Sequence, residues 1–124
     1  RELAMQISRE AIRFVKGTRI NVSLIIGGES VGRQIGDLKK GQEFIIGTPG
    51  RLKDMIKRRH INPKHINNIT VDEVDRMMDM GFIKDIEHFF AITPNSKQAL
   101  FFSATHNSNV TKVVNKLTNS FEMV

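Results

Sequence analysis

The feature that most limits what this chain can fold into is an alternation. Short apolar runs rich in β-branched residues take turns with segments whose apolar residues recur at helical spacing. "NVSLII", "EFIIG", "NITV" and "QALFFS" read as strands, and "FEMV" starts one more. Between them, Leu3, Ile7, Ala11, Phe14 and Val15 mark a helix that should end at Gly17. Val31, Ile35 and Leu38 mark a second helix, and Leu52, Met55 and Ile56 a third, after a break at Thr48-Pro49-Gly50. A short Met-rich helix should follow "NITV". Phe82, Ile86, Phe89 and Phe90 form another stripe, stopped by Thr93-Pro94-Asn95. Asn107 or Ser108 can cap a last helix carrying Val110, Val113, Val114 and Leu117. Strands and helices in this order call for an α/β fold with a mainly parallel sheet and helices on both faces. The strands show little apolar–polar alternation, so both faces of each are expected to be covered. With 124 residues, the chain reads as one domain or a piece of one.

Charge narrows the partners. The net charge is +6 and the isoelectric point is near 10.0, which favours a polyanion such as nucleic acid. Tyr and Trp are absent, which counts against an aromatic platform for stacking bases. Contact is therefore expected through the phosphate backbone. The phenylalanines and the six methionines read as core. No cysteine is present, which excludes disulfides and thiolate zinc sites. The histidines at 60, 65, 88 and 106 lack metal-ligand spacing and read as surface residues. The cluster Lys57-Arg58-Arg59-His60 reads as a solvated helix end. No apolar stretch approaches the roughly 18 residues of a membrane span. The chain opens on Arg1 and Glu2 with no secretory leader, so the expected location is cytoplasmic, or nuclear if the source is eukaryotic.

In open parallel sheets, ligands bind beyond the carboxyl ends of the strands. Four motifs fall at such ends: Gly27-Gly28, Thr48-Pro49-Gly50-Arg51, Asp72-Glu73-Val74-Asp75 and Ser103-Ala104-Thr105. An Asp at a strand end followed by a Glu suits the acidic half of a nucleotide-triphosphate site. Asp72 can hold Mg²⁺ through water, and Glu73 can orient or deprotonate an attacking water. The same residues read equally well as a helix cap with acids in the first turn. The hydroxyls of Ser103 and Thr105 can bond a carboxylate such as Asp75, or merely sit in a strand-to-helix turn. "TPGR" offers backbone N–H groups and Arg51 to a phosphate, though a plain turn explains it on its own. Gly27-Gly28 allows a close backbone approach or simply a tight turn.

Together the motifs resemble the DEAD-box RNA helicases of helicase superfamily 2. "RELAMQ" is similar to the end of that family's motif Ia, and "GG", "TPGRL", "VDEVDRMMDMGF" and "FSAT" follow in the family's order. The resemblance spans essentially the whole chain. It implies that residues 1–124 are part of the N-terminal RecA-like domain, from motif Ia to motif III, of the P-loop NTPase type. By this likeness Asp72 holds Mg²⁺ with ATP, Glu73 positions the attacking water, and Asp75 meets Ser103 and Thr105 to couple ATP to RNA. Arg1, Gly28, Thr48, Gly50 and Arg51 grip the RNA sugar-phosphate backbone. The implied partners are RNA, bound without sequence specificity, and a second RecA-like domain.

Departures from the family pattern shape further expectations. Val74 stands where the family has Ala, and its extra methyls must fit beside the site. No G-x-x-x-x-G-K-[ST] phosphate loop occurs. The nearest string, residues 36–41 followed by Gln42 and Glu43, lacks the Lys and the Ser/Thr. The family places that loop, and two strands of its sheet, upstream of motif Ia. The expectation is thus a fragment of an ATP-dependent RNA helicase that by itself binds ATP feebly and does not hydrolyse it, and whose unpaired strand edges and uncovered helix faces lead to marginal stability, self-association or a partner that fills the gap. The competing readings are a RecA-like module that has lost ATP chemistry and only docks RNA or protein, and a DNA-acting relative in the same superfamily.

Overall fold

The computed structural model describes residues 1–41 and 43–124. Gln42, which follows the string at 36–41, lies outside the described residues. The chain forms two compact units, Arg1–Asn62 and Pro63–Val124.

The first unit runs α1 (Glu2–Val15), β1 (Val22–Ile25), α2 (Val31–Lys39), β2 (Phe44–Gly47) and α3 (Pro49–Lys57). β1 and β2 pair in parallel, from Val22 opposite Phe44 to Ile25 opposite Gly47. Parallel neighbours need a crossover, and α2 supplies it. Its start is fixed by Ser30, whose Oγ accepts the Arg33 N–H at 3.3 Å. α3 opens on Pro49, whose fixed φ and missing N–H suit a first turn. α1 packs on both strands and α2 on β1. Ile25, Ile26, Met55 and Ile61 are buried with Ala4 of α1. Gly47 has a steric reason. A Cβ there would collide with the Ile25 carbonyl and come within 2.9 Å of the Leu52 side chain, so glycine lets α3 close over the end of β2.

The second unit begins with a 3₁₀ turn at Pro63–His65 and continues β3 (Asn68–Val71), α4 (Val74–Asp79), α5 (Ile83–Ile92), β4 (Gln98–Phe101) and α6 (Ser108–Leu117). β3 and β4 are parallel, from Asn68 opposite Gln98 to Val71 opposite Phe101. Val71, Val74, Ile86, Phe90, Val110 and Val114 form the buried cluster, with Phe90 stacked on Phe101 at 5.6 Å between ring centroids. Asn107 Oδ1 accepts the Val110 N–H at 3.0 Å and starts α6. At the end of α5 the Thr93 hydroxyl donates to the Phe89 carbonyl at 2.8 Å. Lys97 Nζ donates to the Phe90 carbonyl at 3.1 Å and lies 5.1 Å from that residue's ring centroid.

The α/β alternation and the parallel pairing match the sequence reading; several details do not. Burial alternates along β1, β3 and β4, so one face of each is the better covered, and Leu100 remains 46% exposed. "FEMV" forms no strand: Phe121 to Val124 are exposed and pair with no strand among the described residues. An extended run needs a neighbour to satisfy its backbone, and apolar character alone does not supply one. Phe90 is core, but Phe14, Phe44, Phe102 and Phe121 are exposed. Met55 is buried, whereas Met80 and Met123 are exposed. On α1 the buried residues are Ala4 and Ser8, while Phe14 of the expected stripe is 83% exposed. Small side chains let the helix approach the strands and leave the bulky ones at the flank. Among the described residues, no helix is long and apolar enough to cross a membrane.

Val74 is 1% exposed and belongs to the core of its unit. Its methyls face the cluster, which explains how the larger residue is accommodated. Val74→Ala should therefore lower unfolding stability by about 1–2 kcal/mol, read as a shift of the urea midpoint with an unchanged slope.

Candidate functional site

The acidic motif sits on a corner clamped from both sides. Beyond the paired strands, the Phe102 N–H donates to the Val71 carbonyl at 2.9 Å and the Val74 N–H donates to the Phe102 carbonyl at 3.0 Å. These bonds straddle Asp72 and Glu73, and Val74 is anchored in the core beside them. The chain must turn within the corner, and Glu73 takes the turn in left-handed backbone, φ 53 and ψ 51. For a residue with a side chain this conformation costs about 1–3 kcal/mol and persists only when its surroundings enforce it. Asp72 helps to enforce it, because its Oδ1 accepts the Glu73 N–H at 2.8 Å. Asp72 Oδ2 has no hydrogen bond to the protein among the described residues. The Glu73 carboxylate lies 3.5 Å from the Arg76 guanidinium, in a solvated ion pair of small energetic weight. The residue types give no sign of the left-handed corner; a glycine or asparagine there would have.

Asp75 is the hub between the acidic motif and "SAT". Thr105 donates to Asp75 Oδ2 twice, from Oγ1 at 2.9 Å and from its backbone N–H at 3.2 Å. The Arg76 N–H donates to Asp75 Oδ1 at 3.0 Å, and the Asp75 N–H donates to Ser103 Oγ at 3.3 Å. The Thr105 hydroxyl bond is the main reason that the Asp75 carboxyl lies below the ordinary aspartate value. Loss of solvation pulls the other way, and the Ser103 hydroxyl and the N–H groups of Arg76 and Thr105 add to the lowering. Asp75, Ser103 and Thr105 thus meet as the sequence reading had them. Asp72 and Glu73 are the neighbouring carboxylates on the same corner.

The residues assigned to phosphate contact gather at the ends of β1 and β2. Arg1 Nη1 donates to the Gly27 carbonyl at 3.0 Å, and Arg1 Nη2 to Glu29 Oε1 at 2.9 Å. Gly28 has φ +78, and a Cβ on it would run into the Arg1 guanidinium. Its glycine is thus explained by Arg1 lying against it. Arg51 Nη1 donates to the Glu29 carbonyl at 3.1 Å and to Gln34 Oε1 at 3.0 Å. The Thr48 N–H donates to the Ile25 carbonyl at 3.1 Å, and Thr48 precedes α3 without capping it through its side chain. A Cβ on Gly50 would meet nothing within 4 Å, so no protein group crowds that position. Gln34, which the sequence reading passed over, is buried beneath the turn. An amide on a helix carries no distinguishing mark in a single sequence.

The motifs call for Mg²⁺ and a triphosphate. Among the described residues no three His, Asp or Glu side chains cluster to form a protein metal cage. Mg²⁺ does not need one. It keeps several waters and takes one or two carboxylates together with substrate phosphates, a role the half-buried Asp72 fits. The triphosphate cradle is different, since no phosphate-loop sequence occurs in these residues.

Comparison with known proteins gives the family and the fold. The family model for the DEAD/DEAH box helicase matches residues 1–113. The chain is 42% identical, over all 124 of its residues and 25% of the other protein, to the DEAD-box ATP-dependent RNA helicase CshA of Bacillus subtilis. It is 39% identical over 113 residues, 91% of its length, to the DEAD-box ATP-dependent RNA helicase 14 of Arabidopsis thaliana, covering 18% of that protein. The chain thus spans about a quarter or less of the length of these curated relatives. Among solved structures, it matches a DEAD box protein from the hyperthermophile Methanococcus jannaschii with TM-score 0.90 and 33% identity, over 98% of this chain and 33% of the other. A hypothetical ATP-dependent RNA helicase from Sulfolobus tokodaii matches with TM-score 0.89 and 31% identity, over 98% and 37%. These similarities show the RecA-like α/β fold.

The hydrogen bonds to Asp75 make a pH-dependent contribution whose sign is fixed. A lowered carboxyl stabilises the fold above the ordinary aspartate range, and the contribution fades as pH falls through the lowered value. Thr105→Val keeps the shape and removes the hydroxyl. The Asp75 carboxyl titration, followed by carbon NMR, should then move back up towards the ordinary value. An unmoved titration would show that Thr105 is not the cause.

Proposed function

The chain belongs to the DEAD/DEAH box helicase family, and on that premise we propose that it is part of an ATP-dependent RNA helicase, within the N-terminal RecA-like domain. The observation that carries this reading is the bond from Thr105 to Asp75, which ties the acidic corner to the end of the adjacent strand. Asp72 holds Mg²⁺, which when bound neutralises charge on the triphosphate. Glu73, fixed by its corner, orients a water towards the terminal phosphate and accepts its proton. Asp75, through Ser103 and Thr105, passes the state of the nucleotide to the rest of the molecule. Arg1, Gly28, Thr48, Gly50 and Arg51 contact the RNA sugar-phosphate backbone, which carries no base readout. The +6 charge and the lack of Tyr and Trp support that mode of contact. The cradle for the triphosphate and further γ-phosphate contacts come from outside these residues, the latter from a second RecA-like domain. Local strand separation of duplex RNA is the proposed output, and the cytoplasm the proposed location. The exposed Phe14, Leu100 and Phe102 favour self-association of the isolated residues.

In the full-length protein, Glu73→Gln should lower RNA-stimulated phosphate release by about 10²–10⁴-fold while nucleotide binding persists. The isolated 124-residue chain should release no phosphate above background with or without RNA. Release at the wild-type rate from the Glu73→Gln protein would remove Glu73 from the chemistry, and release from the isolated chain would show that the cradle is dispensable.

A further inference from the structure

Gln34 is 3% exposed, yet it is a polar side chain in the middle of α2. Both ends of its amide are used. Its Nε2 donates to the Ile26 carbonyl at 2.9 Å, just past the end of β1. Its Oε1 accepts from Arg51 Nη1 at 3.0 Å, on α3. Chemistry fixes this orientation. The reverse would set the amide NH₂ against guanidinium N–H groups and its oxygen against a carbonyl. Arg51 Nη1 gives its second bond to the Glu29 carbonyl at 3.1 Å. Among the described residues the Arg51 bonds therefore all leave from Nη1. Nε and Nη2, which form the side-on fork of a guanidinium, carry no hydrogen bond to the protein among the described residues. That fork is the one that matches two phosphate oxygens.

We infer that Gln34 is a positioning residue for RNA: it holds the inner nitrogen of Arg51 so that the Nε–Nη2 edge is presented to a phosphate. This rests on the reading that Arg51 grips the RNA backbone. Without Gln34 the arginine would be free to rotate, and the ordering of a long side chain would fall on RNA binding itself. Gln34 also ties that ordering to the turn after β1, because the same amide holds the Ile26 carbonyl. The turn at Gly27-Gly28 and Arg51 are thereby set by one buried group.

The test is a double-mutant cycle on the full-length protein with Gln34→Met and Arg51→Met, alone and together. Affinity for a short fluorescein-labelled oligouridylate is read by anisotropy over a range of salt. Gln34→Met should weaken binding about five- to tenfold and flatten the salt dependence towards that of Arg51→Met. In the Arg51→Met background the loss from Gln34→Met should vanish. A merely structural glutamine would lower affinity equally in both backgrounds, and that result overturns the positioning role alone. Unchanged affinity in Arg51→Met would overturn the phosphate-gripping reading, and the positioning role with it. Should Gln34→Met fail to fold, Gln34→Glu separates the two bonds. Its carboxylate still accepts from the guanidinium but does not donate to Ile26, so its affinity should stay near the wild type, and a loss as large as that of Arg51→Met would overturn the positioning role.

Discussion

The acidic site depends on a pair of backbone bonds at the rim of a sheet. Strand pairing leaves the Val71 carbonyl and the Phe102 backbone groups at the end of β3 and β4, and a buried backbone group needs a partner. Phe102 closes the ladder on Val71 and accepts in turn from Val74. That closure sets the distance that Asp72 and Glu73 must span. With Val74 locked into the core, the corner has no slack, and Glu73 enters the left-handed region. A disfavoured conformation is thus held by core packing. It fixes the direction in which the Glu73 side chain leaves the backbone.

The turn after β1 meets a related problem with side chains. The carbonyls of Ile26, Gly27 and Glu29 accept from Gln34, Arg1 and Arg51 respectively. A cation used in this way remains a cation. An arginine with a nitrogen anchored on the protein still projects charge, and it loses less freedom when a phosphate arrives. The structural bonds of Arg1 and Arg51 are thus compatible with their proposed contact with a phosphate backbone. Gly28 is required because the Arg1 guanidinium occupies the space of a side chain there.

What could be read from the sequence followed the strength of the local signal. Breaks at Gly17, at Thr48-Pro49 and at Thr93-Pro94 delimited the elements, and the polar motifs at strand ends marked the candidate site residues. Side-chain periodicity was weaker. On α1 the apolar stripe suggested burial of Phe14, but the contact with the strands is made by Ala4 and Ser8. A helix lying on a sheet takes small residues where it comes closest, and Leu3, Ile7, Ala11 and Val15 of the stripe are half-buried beside them. "FEMV" was apolar enough for a strand but pairs with none among the described residues. The backbone of Glu73 and the burial of Gln34 left no trace in residue type, because each is imposed by distant parts of the chain.

Val74 shows how closely core and site are joined. It lies between Glu73 and Asp75, the carboxylates of the corner, while its own side chain packs with Val71, Ile86 and Phe90. A larger side chain at this position fills the core more fully and tightens the anchor of the corner. Its methyls cost the site nothing as long as they point inward, and its 1% exposure shows that they do. The same burial makes the position intolerant of polarity, since a polar group there would find no water and would have to draw a partner from the backbone clamp. The residue between the carboxylates thus fills core volume while the carboxylates stay at the rim. The hydrogen bond from Val74 to Phe102 makes one set the geometry of the other.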